Sequence, residues 1–522
     1  MKTIIIIFVI FLIVVNILVI YKNKILKQDN LKCKDCNIIL ISIDTLRADH
    51  LGCYGYDKNT SPNIDKFASK GVLFKNYIVQ GYLTPVSQIT LFTSQYVSNL
   101  GINTFNFVLN DTILTLPQIL KIYDYKTAAF STSPEFSDVF LNLNKHFSRG
   151  FDIYECGYER ELPSKSTVFG WLKENKDNKF FLWLPIGTAH WPYGVHVNNS
   201  IKNMFIENNY SGAFYNKSYL NWPDLLSIYN LTYYKDNYTI QLDESDINYI
   251  ISLYDSGIFT VDDFLGWIFN EISKLNLDKN TIIVIHGIHG EELNEHNYIT
   301  HYDIYDTEIK SPFIIVGPNI QKRVVDAQIQ SIDVLPTLLE IVDINIPRQS
   351  QGKSFASIIE GKKDEINDYV FSERIPIWEY LIYTNEFLQP NLNGTYTFSL
   401  SNITLNKHFQ NFAYKNMIFF DSHPNFYYND ITIRTNEWKL IYRNDPEILE
   451  KISMWSILIN QSISVPKLEL YNLKEDPYEK NNLINEEPEI AMKLQKKLFD
   501  WNDSITEKGI NSNINIIRQP YP

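Results

Sequence analysis

The sequence predicts an α/β fold, a sandwich with a central, mostly parallel sheet, followed by a small α+β subdomain at the C-terminus. Three observations lead to this prediction. Short apolar runs rich in β-branched and aromatic residues recur along the chain, helix-like segments separate them, and polar residues stand where the runs end. Because the two kinds of segment alternate, we expect helices on both faces of a parallel sheet.

The composition is that of a globular protein and argues against one functional class. Of the 522 residues, 45% are hydrophobic and 20% are charged, which suits one large core with an added subdomain. The 60 acidic residues outnumber the 47 Lys and Arg residues and give a net charge of −13, so we expect no nucleic-acid partner. The four cysteines are too few for a disulfide-built scaffold.

The N-terminus carries a long apolar segment. Residues 4–20 form a run that one Asn interrupts, and its length is near the minimum that spans roughly 30 Å of hydrocarbon. It is longer than a usual signal-peptide core, and no small-residue cleavage site follows it. We therefore predict an uncleaved membrane anchor within residues 1–30, with a cleaved signal peptide as the alternative.

Two patterns give opposite indications of which side of the membrane the protein body occupies. Three lysines follow the apolar run, which favours a cytoplasmic body; they are Lys22, Lys24 and Lys27. Four Asn-x-Ser/Thr sequons favour an extracytoplasmic glycoprotein; they begin at Asn209, Asn216, Asn230 and Asn237. We expect an extracytoplasmic body, anchored in the membrane or secreted if the N-terminus is cleaved. Cys33 and Cys36 predict a small disulfide or two free thiols rather than a zinc knuckle.

Four apolar runs predict the strands of the central sheet. They are Asn37–Ile43, Lys179–Leu184, Thr281–Ile285 and Ser311–Val316. A helix is predicted over Ser61–Gly71, with Ser61 as the N-cap and Pro62 at the first helical position. Polar residues follow the runs at Asp44, His190, His286 and His289. Because the carboxyl ends of parallel strands share one edge of a sheet, these side chains should lie along that edge.

The sequence changes character after the core, which we expect to occupy residues 37–362. Aromatic and polar residues alternate beyond this point, and Ile431–Tyr442 reads as a half-exposed strand. Glu487–Trp501 has a helical pattern. Residues 363–510 therefore predict a subdomain with an antiparallel sheet and a closing helix.

Several motifs, in order along residues 37–505, together resemble one family. They are Asp44–Tyr56, Ser61–Asp65, Gly81–Thr93, His190–Tyr193, His289–Asp306, Trp438–Tyr442 and Glu469–Leu473. This order resembles the sulfatases and their relatives in the alkaline-phosphatase superfamily. The resemblance implies an alkaline-phosphatase-like sandwich that hydrolyses sulfate or phosphate esters with a divalent metal beside a nucleophile.

The nucleophile position of the family falls on Thr84. True sulfatases need Cys or Ser there to form formylglycine, and Thr cannot give that aldehyde, so we expect none in this chain. Relatives with Thr at this position act through an alkoxide that attacks phosphorus. Gln88 stands where those relatives have a basic residue. The resemblance makes Thr84 the nucleophile and Gln88 a contact for the anion.

The metal ligands implied by the resemblance are incomplete. Asp44 matches the first metal carboxylate, but the family's Asp-His pair aligns with Ile288 and His289, so one carboxylate is missing. We expect Ca²⁺, Mg²⁺ or Mn²⁺ held by Asp44, Thr84 and His289, with His286 as a partial substitute. A zinc site that also uses His301 is the alternative.

The remaining candidates would contact the substrate, a sulfated or phosphorylated glycan or lipid head group. His190 would hold the anion, and one of His289, His296 and His301 would protonate the leaving oxygen or activate water. Arg47 is a further basic candidate. Two other functions stay open: a catalytically inactive glycan-binding module with the same fold, and a transferase of phosphoglycerol or phosphoethanolamine type.

Overall fold

A computed structural model describes most of the core and parts of the C-terminal region. The described residues are 31–100, 109–136, 147–157, 160–207, 209–220, 224, 242–374, 430–443 and 466–506. The predicted anchor in residues 1–30 and the sequons at Asn230 and Asn237 lie outside them. Within these ranges, no helix is both long enough and apolar enough to cross a membrane.

Fourteen strands lie in the described ranges. They are β1 (Asn37–Ile43), β2 (Val72–Ile78), β3 (Lys126–Ser131), β4 (Ile153–Cys156), β5 (Phe180–Ile186), β6 (Thr281–Gly287), β7 (Glu292–Leu293), β8 (Ile299–Thr300), β9 (Lys310–Val316), β10 (Arg323–Gln330), β11 (Val370–Arg374), β12 (Asp430–Arg434), β13 (Trp438–Tyr442) and β14 (Leu468–Asn472).

Eight of these strands form the central sheet in the order β10-β2-β9-β6-β1-β5-β3-β4. Neighbouring strands are parallel except that β9 runs antiparallel to both β2 and β6. Strands β1, β5 and β6 are buried along their whole length, as expected for strands covered on both faces. The predicted mostly parallel sheet is confirmed.

Ten α-helices accompany the strands in the described ranges. They are α1 (Pro62–Ala68), α2 (Thr84–Thr93), α3 (Leu116–Ile122), α4 (Lys165–Asn175), α5 (Asn199–Lys202), α6 (Glu244–Lys274), α7 (Asp306–Ile309), α8 (Val334–Ile341), α9 (Ala356–Ile359) and α10 (Pro488–Thr506).

Helix α1 is capped differently from the prediction. Pro62 is its first residue, as expected, but the Ser61 hydroxyl does not cap it, because that oxygen accepts from the Gly52 N–H and donates to Asp65. Asp262 of α6 accepts the Ile64 N–H at 2.7 Å instead. Burial raises the pKa of Asp262 to about 6. The long helix α6 thus satisfies the N-terminus of a helix far away in the sequence.

The C-terminal part contains a second sheet, with antiparallel strands in the order β11-β12-β13-β14. The single strand predicted over Ile431–Tyr442 is wrong, because a turn divides it into β12 and β13. Thr435 closes this turn: its N–H donates to the Trp438 carbonyl, and its hydroxyl accepts from the Trp438 N–H. The predicted closing helix is α10, which packs its buried face on β12 and β13.

Candidate functional site

The site lies at the carboxyl edge of the central sheet, where β6, β1 and β5 are neighbours. Asp44 directly follows β1, and its N–H donates to the Ile186 carbonyl of β5 at 2.9 Å. On the other side, the Ile288 N–H after β6 donates to the Ile43 carbonyl of β1 at 2.9 Å. These bonds extend the ladders by one residue and fix where Asp44 and His289 leave the sheet.

Thr84 is brought to this edge as the first residue of α2. Leu83 precedes it and provides no side-chain cap, so the helix N-terminus is open toward the site. The Thr84 Oγ1 lies 3.0 Å from Asp44 Oδ1 and 3.0 Å from His289 Nε2. His289 Nε2 and Asp44 Oδ1 are 3.2 Å apart. The nucleophile candidate and two of its predicted neighbours therefore converge.

The hydrogen bonds of His289 determine which of its nitrogens can accept a proton. Nδ1 lies 2.8 Å from the Gly290 carbonyl, to which it donates, so Nε2 faces Thr84 and Asp44. Burial opposes the charged form of His289, but the hydrogen bond and the charge of Asp44 outweigh it and raise the pKa. The same contact lowers the pKa of Asp44 against the effect of its burial. The Thr84 hydroxyl donates to Asp44 Oδ1, and when His289 is neutral its Nε2 can accept that proton instead.

Two further predicted histidines belong to the same site. The His301 ring lies 4.3 Å from the His289 ring and 5.0 Å from the His190 ring, between ring centres. His301 Nδ1 is 3.0 Å from Glu291 Oε1, and His190 Nδ1 donates to a backbone carbonyl. Burial lowers the pKa of both His190 and His301 well below the ordinary value. Both rings are therefore neutral near pH 7.

Gln88 lies one turn after Thr84 on α2, and residues four apart share a helix face. Its side chain is fully buried, yet neither its amide nitrogen nor its amide oxygen has a hydrogen-bond partner among the described residues. A buried amide without partners is costly in a folded protein. Gln88 can therefore donate to an anion bound beside Thr84.

The structure does not bring His286 or His296 into the site. His286 lies inside β6 in register with Ser42, its Nε2 is 2.7 Å from the Ser42 hydroxyl, and burial lowers its pKa to about 4. The expectation that it substitutes for the missing metal carboxylate therefore lacks support. His296 Nδ1 pairs with Glu292 at 2.8 Å, and its ring stacks on Tyr305. It anchors a loop instead of facing Thr84.

Arg47 is committed to other contacts as well. Its guanidinium pairs with Asp49 at 2.7 Å and Glu295 at 2.5 Å, and it also donates to the Glu291 carbonyl. Asp49 and Glu295 outweigh the burial of Arg47 and raise its pKa further. Arg47 therefore links the loop after β1 to the segment after β6, and its guanidinium does not make the expected substrate contact.

Arg160 is a site residue that the sequence did not indicate. It stands between β4 and α4, outside every matched motif, and its Nη1 lies 3.5 Å from Asp44 Oδ2. Its Nη2 contacts Glu135 Oε1. No pattern around Arg160 could have signalled this placement, because only the folded sheet brings it to Asp44.

The residues present do not fit the metal site that the resemblance implies. Asp44 is the one carboxylate that touches Thr84 and His289, whereas Ca²⁺ takes six to eight oxygen ligands and zinc usually four ligands. Ile288 is buried in the hydrophobic core and offers no donor. Within the described ranges, no group of three or more His, Cys, Asp and Glu side chains is arranged to hold a metal ion. The cation next to Asp44 is Arg160.

We define the strand-end cluster as the side chains that meet at this edge together with Gln88, which follows Thr84 by one turn of α2. Its members are Asp44, Thr84, Gln88, Glu135, Arg160, His190, His289 and His301. The cluster combines a hydroxyl, a base that faces it, an amide and a guanidinium. It can bind an oxyanion and transfer a proton from Thr84.

Comparison with curated proteins gives sulfatases as relatives. A Delta 4,5-hexuronate-2-O-sulfatase of Bacteroides thetaiotaomicron is 23% identical over 373 residues, which cover 66% of this chain and 76% of that protein. Arylsulfatase K of Rattus norvegicus is 23% identical over 65% of this chain and 52% of that protein, so the chain spans about half its length. An ulvan-active sulfatase of Formosa agariphila is 22% identical over 89% of this chain and 79% of that protein.

Solved structures share the fold. The structure of BT4656 in complex with its substrate D-glucosamine-2-N,6-O-disulfate has a TM-score of 0.63 at 17% identity and covers 90% of this chain and 98% of that one. The phosphonate monoester hydrolase of Agrobacterium radiobacter has a TM-score of 0.59 at 16% identity, with 92% and 97% covered. These likenesses confirm the alkaline-phosphatase-like sandwich.

A family model for sulfatases also matches the chain itself. The match covers residues 36–344, from the residue before β1 to the end of α8 and its following turn. This range contains the central sheet and every member of the strand-end cluster. The chain therefore belongs to the sulfatase family.

Proposed function

We propose that this chain hydrolyses sulfate or phosphate esters with Thr84 as the nucleophile. One observation carries the proposal: the Thr84 hydroxyl lies 3.0 Å from His289 Nε2, at the open N-terminus of α2. A threonine hydroxyl is a weak nucleophile until a neighbouring base removes its proton, and a neutral imidazole within hydrogen-bond reach is such a base.

The proposed reaction has two displacements. In the first, Thr84 Oγ1 gives its proton to His289 Nε2 and attacks sulfur or phosphorus, while the bond to the ester oxygen breaks. The leaving oxygen lies opposite Thr84 in an in-line displacement, so it takes a proton from solvent and departs as an alcohol. In the second, water attacks the Thr84 ester from that opposite side and gives a proton to solvent. This step releases sulfate or phosphate, and Thr84 regains its hydroxyl proton from His289.

This reaction involves no metal. Members of the sulfatase family generally use a metal ion, but among the described residues the oxygen and nitrogen donors around Thr84 do not form a metal site. The expected Ca²⁺, Mg²⁺, Mn²⁺ or zinc therefore takes no part in the proposed reaction. Its proton transfers use Thr84, His289 and solvent water.

The substrate class follows from the relatives. The names of three similar proteins refer to sulfated carbohydrates, namely a hexuronate 2-O-sulfate, ulvan and a disulfated glucosamine. We propose a sulfated glycan as the substrate of this chain. Phosphorylated glycans and lipid head groups remain the competing classes, since the likeness to a phosphonate monoester hydrolase concerns the same fold.

The test compares Thr84 variants on aryl sulfate, an aryl phosphodiester and sulfated disaccharides. Thr84→Ala should reduce turnover by a factor on the order of 10³ or more, and Thr84→Ser should retain part of it. Thr93→Ala is the matched control, because Thr93 is a buried hydroxyl on the same helix that donates to the Ile89 carbonyl. Equal turnover of Thr84→Ala and wild-type protein would refute the nucleophile.

A catalytically inactive glycan-binding protein is the second candidate. Two replacements favour it: Ile288 stands at the position of a metal carboxylate, and Gln88 at that of a basic residue. Under this hypothesis the wild-type protein binds sulfated glycans without turnover, and Ile288→Asp creates metal-dependent activity. Turnover by the wild-type protein that Thr84→Ala removes would exclude it.

We also propose that the body of the protein is extracytoplasmic and that residues 1–30 anchor it. Cys33 and Cys36 form a disulfide, which persists in oxidising compartments. The sequon residues Asn209 and Asn216 are exposed, so an oligosaccharide could be attached to either. Loss of a glycosidase-sensitive mass in the double variant Asn209→Gln/Asn216→Gln would support this side. Full protection of the body from protease added to intact cells would contradict it.

A further inference from the structure

The strand-end cluster contains a half-buried cation whose position the family resemblance does not explain. Arg160 Nη1 lies 3.5 Å from Asp44 Oδ2, and Arg160 is 15% exposed at its side chain. Gly187 directly after β5 makes this placement possible, because a Cβ at Gly187 would lie 3.3 Å from the Arg160 Cγ. The end of β5 thus leaves space for the arginine side chain to reach Asp44.

Several polar atoms of the strand-end cluster and of the neighbouring Ser133 have no hydrogen-bond partner among the described residues. They are Asp44 Oδ2, Arg160 Nη1, Glu135 Oε2, Ser133 Oγ and both amide atoms of Gln88. Buried polar groups in folded proteins are nearly always paired, so a local concentration of unpaired ones indicates a ligand or bound water. The unpaired donors among them are a guanidinium nitrogen, an amide nitrogen and a hydroxyl.

These donors suit a tetrahedral oxyanion. Because Arg160 Nη2 contacts Glu135, Nη1 is the nitrogen that can donate a charge-assisted hydrogen bond to an oxygen of a sulfate or phosphate group. The open N-terminus of α2 adds a positive partial charge beside Thr84. Asp44 would repel an anion unless a cation neutralised it, and Arg160 is the cation that faces its second oxygen.

We propose that Arg160 replaces the divalent cation of the family: it neutralises Asp44 and binds the oxyanion of the ester, so that the site binds sulfate or phosphate without metal. This inference rests on the proposed function only for the identity of the ester. The inference concerns the binding step. It gives Asp44 a cationic partner in a site where Ile288 stands in place of a metal-binding carboxylate. Sulfate and phosphate esters both present a tetrahedral oxyanion to the site. The test therefore measures the two anions separately.

The experiment measures binding of inorganic sulfate and inorganic phosphate to the full chain by calorimetry, with EDTA and then with added Ca²⁺, Mg²⁺, Mn²⁺ or Zn²⁺. The wild-type protein should bind either anion with the same affinity in all conditions. Arg160→Met should weaken binding by about 10-fold to 100-fold, as expected for a charge-assisted hydrogen bond. Arg160→Lys should restore part of the affinity, because it keeps the charge and loses the planar fork.

Arg149→Met is the matched control. Arg149 is 12% exposed at its side chain and donates to the carbonyls of residues 110, 111 and 113. Its replacement should leave anion binding unchanged, so a loss specific to Arg160→Met excludes a general effect of removing a half-buried arginine. If Arg160→Met does not fold, the inference is tested by two other measurements. They are the anion affinity of wild-type protein with and without EDTA, and the anion affinity of Arg160→Lys.

Two results would overturn the inference. One is a metal ion present at about one per chain whose removal abolishes anion binding. The other is unchanged sulfate and phosphate affinity in Arg160→Met. Failure of the proposed function looks different, because a protein that binds the anions through Arg160 without hydrolysing any ester refutes the hydrolase and leaves this inference intact. A protein that hydrolyses the ester only with a bound metal would support the hydrolase and refute this inference.

Discussion

Two of the charged clusters in the described part of the chain are built in opposite ways. The first is the junction cluster between the core and the C-terminal sheet, formed by Asp303, Arg374, Asp430, Arg443 and Glu469. Arg443 contacts three carboxylates there, with Nε 2.9 Å from Glu469 and Nη1 against Asp303 and Asp430. Arg374 pairs with Asp430 at 2.9 Å and donates to a backbone carbonyl at 2.7 Å.

The strand-end cluster is less completely paired. Asp44 and Arg160 face each other at 3.5 Å, which is too long for a hydrogen bond, and Glu135 and Gln88 keep unpaired atoms, whereas the junction cluster keeps one, Arg443 Nη2. The strand-end cluster is also the more accessible one, since the Arg160 side chain is 15% exposed and that of Arg443 1%. The difference teaches that pairing is close where buried charges join two parts of the fold, and incomplete where the proposed ligand binds.

The largest expected effect is on the junction cluster. Arg443→Met should lower the free energy of unfolding by about 3–5 kcal/mol, because it leaves buried carboxylates without their cation. Urea unfolding followed by circular dichroism measures it. Lys474→Met is the control, since Lys474 pairs with Glu437 at the exposed surface, where an ion pair contributes about 0–1 kcal/mol. A loss below about 1 kcal/mol in Arg443→Met would contradict the comparison.

A third arrangement, a buried carboxylate held by hydrogen bonds alone, sharpens the comparison. Asp333 accepts the N–H groups of Lys353 and Gln330 at 2.7 and 2.9 Å and the Asn367 amide at 2.7 Å. Burial outweighs these bonds and raises the pKa of Asp333 to about 6. Without a cation in direct contact, these hydrogen bonds and the charge of Lys353 do not compensate the burial of the carboxylate.

The pH dependence of stability tests this second prediction. Since the folded state holds the Asp333 proton more tightly than the unfolded chain, its contribution is complete below about pH 4 and is lost as the pH rises to about 6. The loss is at most about 3 kcal/mol at 1.4 kcal/mol per pKa unit. Asp333→Asn should reduce the fall between pH 4 and 6 by this amount, leaving the part due to Asp262, whereas Asp364→Asn at the exposed surface should keep the whole fall. Equal slopes in wild-type protein and Asp333→Asn would refute the assignment.

The sequence predicted the fold well because burial on both faces of a strand leaves a continuous apolar run. Strand β1 matches its prediction residue for residue, and β5 and β6 are displaced or extended by one or two residues. Because β6 extends beyond its apolar run, His286 lies within the strand and not after its end, where it was expected. The apolar run ends at Ile285, but pairing with β1 continues through Gly287, so His286 points from the strand toward Ser42 instead of into the site.

The site was predictable only in part, for a related reason. Asp44, Thr84 and His289 belong to motifs, and residues at neighbouring strand ends must meet. Arg160 and Glu135 belong to no motif. The contact of Arg160 with Asp44 and that of Glu135 with Arg160 depend on where two loops cross the sheet. Arg47 stands inside a motif but pairs with Asp49, two residues away. The residue types alone do not show that Asp49 takes the place of a substrate as the partner of Arg47.

The smallest predicted effect has the opposite sign to the first and tests the comparison most directly. Gln88→Met replaces a fully buried amide that has no partners, so it should raise the free energy of unfolding by about 1 kcal/mol and weaken sulfate binding. Gln80→Met is the control, because Gln80 is equally buried but bonded to Ser331, Ile332 and Phe371. That change should destabilise the protein by about 1–3 kcal/mol. Urea unfolding of both variants measures these two changes in the free energy of unfolding. If both destabilise the protein equally, the Gln88 amide is paired in solution, and incomplete pairing does not distinguish the strand-end cluster from the junction cluster.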